Sequence, residues 1–336
     1  MATVTRYVDP DASGSGTGAD WTNAYTSLNA WEAAEQTDLV TDGDTHVVYC
    51  KSSSGGDDTT TVDITGWTTG SSNDITISQD DFPSDGILDT TKYNLYNNDA
   101  DAEAINIGED YVTVDKLQIR FVATSSNSRR GLFISLQNAA SLVWLNKVIV
   151  SCTSTSTTNV VGITINEPDL NIKISNCLIY DVVNGSNSAH RGINSAGVST
   201  AGIYNTTIHN CYDGIRRVIS GTVTVTNCAI GNCTDDINGT VTASYCCTDD
   251  GDGTNAQNPS GSDWDNEFTD KDNDDFSLVS GGNCVGNGTD DPGSGLYSDD
   301  IIGTARSSTW DIGAFEYVAA GANVPQKWHH HSKNVG

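Results

Sequence analysis

Four arginines in the middle of the chain are the first residues whose type and spacing could do chemistry. Arg130 and Arg191 each precede a glycine, Gly131 and Gly192, while Arg216 and Arg217 follow Gly214 by two and three residues. They fall at related phases of one pattern and can face a common side, where guanidinium groups could bind the carboxylates of an acidic polymer. The plainer reading is a set of surface ion pairs, each worth little. Asp213 and Asp235 also share a phase, two residues before Ile215 and Ile237. Paired carboxylates on one face are what glycoside hydrolysis needs, as an acid and a base or nucleophile; a stacked polar turn is the plainer alternative. Asp115 and Asp181 fall elsewhere in the pattern, other aspartates concentrate in runs such as Asp249-Asp250, and His190 and His209 stand apart from any Ser or Cys nucleophile.

Metal chemistry has one partial match. Asp270, Asp272 and Asp274 alternate as at the start of a calcium loop, but Asp275 replaces the turn glycine and no Glu follows at the twelfth position. A solvated acidic loop is therefore expected, and no other cofactor is called for. Of nine cysteines, Cys177, Cys228 and Cys246 recur at one bend, and Cys211 and Cys233 at another. Small thiols pack well in an interior, and Cys246-Cys247 lacks the CxxC spacing of a zinc site, so packing is expected. The odd count also argues against a disulfide framework. The sequons at Asn205 and Asn238 are what an Asn- and Thr-rich chain produces by chance.

The end of the chain differs from its body. After a small-residue linker, Lys327, Trp328, His329, His330, His331 and Lys333 gather basic and aromatic groups in a protein with a formal net charge of -28. Either this end is disordered, or it docks: Trp328 fills a pocket while the cations meet an acidic partner or a neighbouring copy.

The elements that must position these residues follow from internal repetition. One apolar column runs Ile105, Leu132, Ile163, Ile193, Ile215 and Ile237; a second runs Val114, Leu145, Ile174, Ile203 and Val225, with Ala243 as a weaker sixth. A third follows the second by five residues: Ile119, Val150, Ile179, Ile208 and Ile230. Alternation such as Val112-Thr113-Val114 reads as short strands with one buried face. Gly131, Gly162, Gly192 and Gly214 precede the first column, and Asn176, Asn205 and Asn227 occupy one bend after the second. Asn tolerates a left-handed backbone, so a stacked Asn corner is expected. Such units cannot bury their inner faces alone and must stack as coils, which predicts an all-β, right-handed parallel β-helix. A β-sandwich would not need phased columns. Sixteen Lys and Arg against 44 Asp and Glu oppose nucleic-acid binding. The sequence offers neither a membrane span nor a Sec signal peptide.

The two ends carry a resemblance. YVDP, a Gly/Ser stretch and DWTNAYTSL resemble the opening of many right-handed parallel β-helix repeat proteins, and DFSLVSGGNCVGNG at 275–288 with WDIGAFEY at 310–317 resembles their closing segment. Ser27 as N-cap, with Leu28, Trp31 and Ala34 on one face, predicts a helix from Ser27 to Glu35 within an N-terminal cap over 1–43, followed by a solenoid over 44–247, an irregular closure over 248–317 and a tail over 318–336. The group includes surface proteins, polysaccharide-active enzymes and tailed-phage virion proteins. Without an export signal the chain is most similar to the virion members: a non-catalytic capsid decoration, fibre or spike, synthesised in the host cytoplasm and displayed on the particle surface. The implied partners are other virion proteins, further copies in a homotrimer, and a host surface glycan. The alternative is a polysaccharide lyase or glycosidase on an acidic glycan, in which Arg130, Arg191, Arg216 and Arg217 bind acidic sugar and abstract the proton next to a uronate carboxylate. The tail reading predicts that truncation after Tyr317 leaves the circular dichroism and melting temperature unchanged but abolishes self-association or particle incorporation; unchanged assembly would place attachment elsewhere.

Overall fold

The computed structural model describes residues 2–98, 103–124, 128–135, 142–154, 159–166, 171–183, 190–197, 200–219, 221–259 and 263–319. The expected docking residues 327–333 lie outside the described residues. The columns become ladders. Ile105, Leu132, Ile163, Ile193, Ile215 and Ile237 are successive partners across one 7-stranded parallel sheet. Val114, Leu145, Ile174, Ile203, Val225 and Ala243 are successive partners in a 14-stranded sheet. The third column, Ile119 to Ile230, stacks in register along a flank of that same sheet. All of these isoleucines, leucines and valines are buried except Ile237, in the last coil. The chain is a parallel β-helix.

Corner chemistry follows from stacking. A Cβ on Gly131, Gly162, Gly192 or Gly214 would lie 2.7 or 2.8 Å from the carbonyl oxygen of the next coil, so these four positions favour glycine, while Ala104 takes the same place in the coil before Gly131. In the final coil Asp236 takes the glycine position, because no further coil follows there. At the bend after the second column, Asn176, Asn205 and Asn227 have φ of 52°, 42° and 56°. The same left-handed corner also accepts Lys116, Lys147 and Tyr245. In the first two cases one strand, Val112–Ala123 or Leu142–Ser154, runs through the corner without a break.

The N-terminal end differs in one respect from the expected cap. Strand Ala2–Val8 pairs in parallel with Asp44–Cys50, so the solenoid begins at residue 2 within the segment read as cap. The helix Leu28–Glu35 forms as anticipated, with the Ser27 side chain accepting from the Ala30 N–H at 3.0 Å. Leu28 and Trp31 are buried and Trp31 stacks on Trp67, but Ala34 is exposed and Glu32 is buried in its place. Glu32 accepts from Thr65 N and Gln36 Nε2 on one carboxylate oxygen, Oε1, and burial raises its pKa.

The closing segment does more than close an end. Residues 254–257 add a partial rung beside Ser244 and Cys247, after which the chain turns back and runs along the solenoid flank as a strap. Trp264, Phe268, Phe276, Leu278, Ile301, Ile312 and Phe315 bury the outward side chains Ile149, Leu178, Tyr180 and Ala229. The Asn corner lies beneath this strap rather than in solvent. Asn205 donates to Asp311 O at 2.8 Å and accepts from Tyr297 OH at 2.8 Å, and Asn227 donates to Thr289 O at 2.7 Å. Arg306, buried and ion-paired with Glu316 at 3.3 Å, donates to Asn176 Oδ1 at 2.8 Å. Replacing Gly192, whose added Cβ would meet Ile208 Cγ2 at 2.6 Å and Gly214 O at 2.7 Å, should overpack the column. Gly192→Ala is expected to lose about 2–3 kcal/mol in urea unfolding; an unchanged midpoint would mean the coils can separate locally.

Candidate functional groove

The sequence candidates separate into three places. On the outer face of the 7-stranded sheet, Arg130 and Arg191 do share a row, both in register with Val161. Each meets an acid: Arg130 lies 3.5 Å from Glu103 and over the Phe133 ring, and Arg191 lies 3.2 Å from Asp213. Arg216 reaches the same Asp213 at 3.6 Å, while Arg217 donates to the carbonyls of Ile219 and Thr240. Asp213, almost wholly buried, also accepts from Asn238 at 2.9 Å. Burial, and then the neighbouring Arg216, lower the pKa of Arg191. Three of the four arginines thus meet a carboxylate, two of them the shared Asp213, and Arg217 meets only backbone carbonyls.

The calcium-like loop does not converge. Asp270 accepts from Asn273, Asp272 meets Lys271 at 2.7 Å, and Asp274, in a left-handed conformation, accepts from Tyr180 OH at 3.2 Å. The loop anchors the strap. His209 likewise belongs to packing: it is buried among Trp264, Phe268 and Phe276, and burial, with Lys271 nearby, lowers its pKa to about 4. Cys177, Cys228 and Cys246 stack fully buried at their bend.

A groove that the sequence reading missed lies on the outer face of the 14-stranded sheet. Register aligns Thr76, Thr113 and Trp144 in one outward row and Ser78, Asp115 and Asn146 in the next. The strap supplies the opposite wall with Leu296, Tyr297, Ser298 and Asp299, bounding an open groove of about 600 Å³ that Asp74, Lys116 and Lys147 also line. Hydrogen bonds fix its polar floor. Asn146 donates to Asp115 at 2.7 Å, Ser175 to Asn146 at 2.9 Å and the Trp144 indole to Ser175 at 2.9 Å. Lys147 holds Asp299 of the strap at 2.9 Å. Trp144 is half-buried, so its ring is held from beneath and accessible from the groove. A fixed ring can stack on a pyranose face, with carboxylates accepting from its hydroxyls and an ammonium donating to an acidic substituent. The signal in the sequence was Trp144 itself, a large aromatic at an outward position of an alternating strand.

No protein-family model matches the chain, and no curated protein matches it. Among solved structures it is similar to the crystal structure of pectate lyase Pel9A, at 14% identity and a TM-score of 0.33, over 95% of this chain and 97% of that one. A likeness of that degree carries no weight for chemistry, and the β-helix rests on the strand registers.

A second unforeseen feature is acidic. Asp236, nearly fully buried, accepts from Asp249 N at 2.6 Å. Burial, and then Asp249, Asp250 and Asp252, push its pKa up to about 8; burial and Asp250 push Asp252 up to about 6. Between roughly pH 4 and 8 the folded chain therefore binds more protons here than the unfolded chain, so stability contributed by protonated Asp236 is complete in acid and is lost as the pH rises through about 8. Asp236→Asn, which keeps the acceptor for Asp249, should raise the melting temperature at pH 9 by about 2–5 °C and leave it nearly unchanged at pH 4. Equal shifts at both pH values would show that Asp236 is ionised throughout.

Proposed function

We propose that this protein is a non-catalytic, glycan-binding β-helical rod displayed on a phage-type particle, with the groove beside Trp144 as its binding site. The observation that supports this reading most directly is the pairing of a half-buried Trp144 with Asp74, Asp115 and Lys116 in one groove, held between two walls. Binding gains when the site does not have to be ordered by the ligand, and here the hydrogen-bonded floor and the Lys147–Asp299 clasp fix the side chains beforehand. The lyase alternative is weaker because the arginines offered as base meet Glu103, Asp213 or backbone carbonyls. The particle location, the other virion proteins as partners and the homotrimer rest on the resemblance of the two ends to the β-helix repeat group, of which tailed-phage virion proteins are one part. Detection of the chain in purified virions by mass spectrometry is the expected outcome; its absence from intact particles would remove that location.

For the groove, the chain is run in affinity electrophoresis through gels containing acidic or neutral capsular polysaccharides, with absorbance for unsaturated uronates and reducing-end assays in parallel. At least one polysaccharide should retard the chain without being cleaved. Trp144→Ala should weaken that retention by about tenfold, as loss of roughly 1–1.5 kcal/mol of ring contact requires, and lower the melting temperature by a few degrees through lost packing on Tyr204 and Tyr297 while keeping the β-rich circular dichroism. Cleavage products would replace this reading with the enzymatic one.

A further inference from the structure

Where the strap leaves the last coil, three buried side chains that the groove does not use converge. Cys247 opens the final short strand, its N–H bonded to Cys228 O at 2.9 Å. Glu267 follows the turn Trp264–Asn266, and Cys284 lies in the strap, its carbonyl accepting from Ile312 N at 2.8 Å. The Sγ atoms of Cys247 and Cys284 and a carboxylate oxygen of Glu267 all lie within 4.8 Å of one another, and all three residues are fully buried. Among the described residues this is the one group of three or more His, Cys, Asp or Glu side chains so disposed.

We propose that Cys247, Glu267 and Cys284 bind a thiophilic divalent cation of the zinc class, which clips the strap to the last coil. Around zinc, with Zn–S about 2.3 Å and Zn–O about 2.0–2.2 Å, tetrahedral ligand atoms sit roughly 3.5–3.8 Å apart. The observed spacing therefore needs only a small contraction. Two thiolates select a borderline-soft ion over calcium or magnesium, which prefer all-oxygen shells. The Glu267 carboxylate is already oriented, since it accepts from Asn283 N at 2.8 Å, Asn283 Nδ2 at 2.6 Å and Cys284 N at 2.9 Å. These neutral amide donors fix the carboxylate as an outer shell fixes a ligand. As the dication binds, each thiol gives up its proton to solvent, so the net charge of the site stays the same and is shared among three ligands on one ion. A fourth position is left for water. Because the three ligands come from the last coil, the turn and the strap, the ion would stabilise only the closed arrangement.

The full chain, reduced and stripped of metal, is titrated with Co²⁺. A thiolate-to-cobalt charge-transfer band with tetrahedral d–d bands should saturate at one equivalent and be displaced by Zn²⁺. The histidines at 329–331 give no thiolate band, so they do not mimic this signal. Zn²⁺ should raise the melting temperature of the stripped chain. Cys284→Ser and Glu267→Gln should each weaken Co²⁺ binding by more than tenfold while retaining the β-rich circular dichroism. Absence of a thiolate band in the unaltered chain would overturn the proposal, whether or not the variants fold. So would a Cys247–Cys284 disulfide in the protein as isolated under non-reducing conditions.

Discussion

The structure depends on one constraint, that the backbone of each coil must lie within hydrogen-bonding distance of the next, about 4.8 Å away. Every side chain therefore has its own counterpart directly above and below, and a position is filled well only by a residue that tolerates its own repetition. Branched aliphatics do, and they form the three columns. Glycine does where the next carbonyl leaves no room for a Cβ. Asparagine does at a left-handed corner, where its amide can both donate and accept. Carboxylates do not repeat well: Asp213 and Asp235 are register partners, and after burial the Asp213 charge raises the pKa of Asp235. Arg191 and Arg216 beside Asp213 thus read first as a device that lets an acidic chain stack, before any ligand is considered.

The same constraint explains what could be read from the sequence. Phased residues were legible because the fold repeats them; the columns, the glycine row and the Asn bend lie where the spacing placed them. The helix Leu28–Glu35 was legible from Ser27 and the apolar spacing behind it. Lys116, Lys147 and Tyr245 were not recognised as occupants of the Asn corner, since they take its left-handed backbone without its side-chain type.

The strap was the larger omission, because it does not repeat. Its contacts with the solenoid join residues far apart in sequence: Arg306 with Asn176, Lys147 with Asp299, Phe315 with the backbone at Gly86. No periodicity predicts which coil such a segment reaches. The groove was invisible for the same reason, as Trp144 and Asp115 come from the coils whereas Leu296 to Asp299 come from the strap. The Arg strip, by contrast, was visible as a pattern but its partners were less so, because Glu103 reaches Arg130 and Asp213 reaches Arg191 from the neighbouring coil, whereas only Arg216 meets an acid three residues away in sequence.

The position of the strap also decides how the groove can be a site at all. A bare β-helix face is nearly flat, and a ligand lying on it remains largely in solvent. Here the strap builds a second wall, and its placement is set by buried polar contacts that have little tolerance for displacement. Arg306 is almost wholly buried, and its guanidinium is balanced by Glu316 and by the Asn176 oxygen. Lifting the strap would strip Asn176 Oδ1 of its Arg306 donor, Asn205 of Asp311 O and Tyr297 OH, and Asn227 of Thr289 O, a cost above that of a lost surface pair because these groups are buried. The wall at Leu296–Asp299 is itself tied to the coils by Lys147 at Asp299 and by Tyr297 OH on Asn205. The polar residues of the Asn corner thereby fix the strap in one register along an otherwise repetitive flank, where apolar contacts alone would permit several.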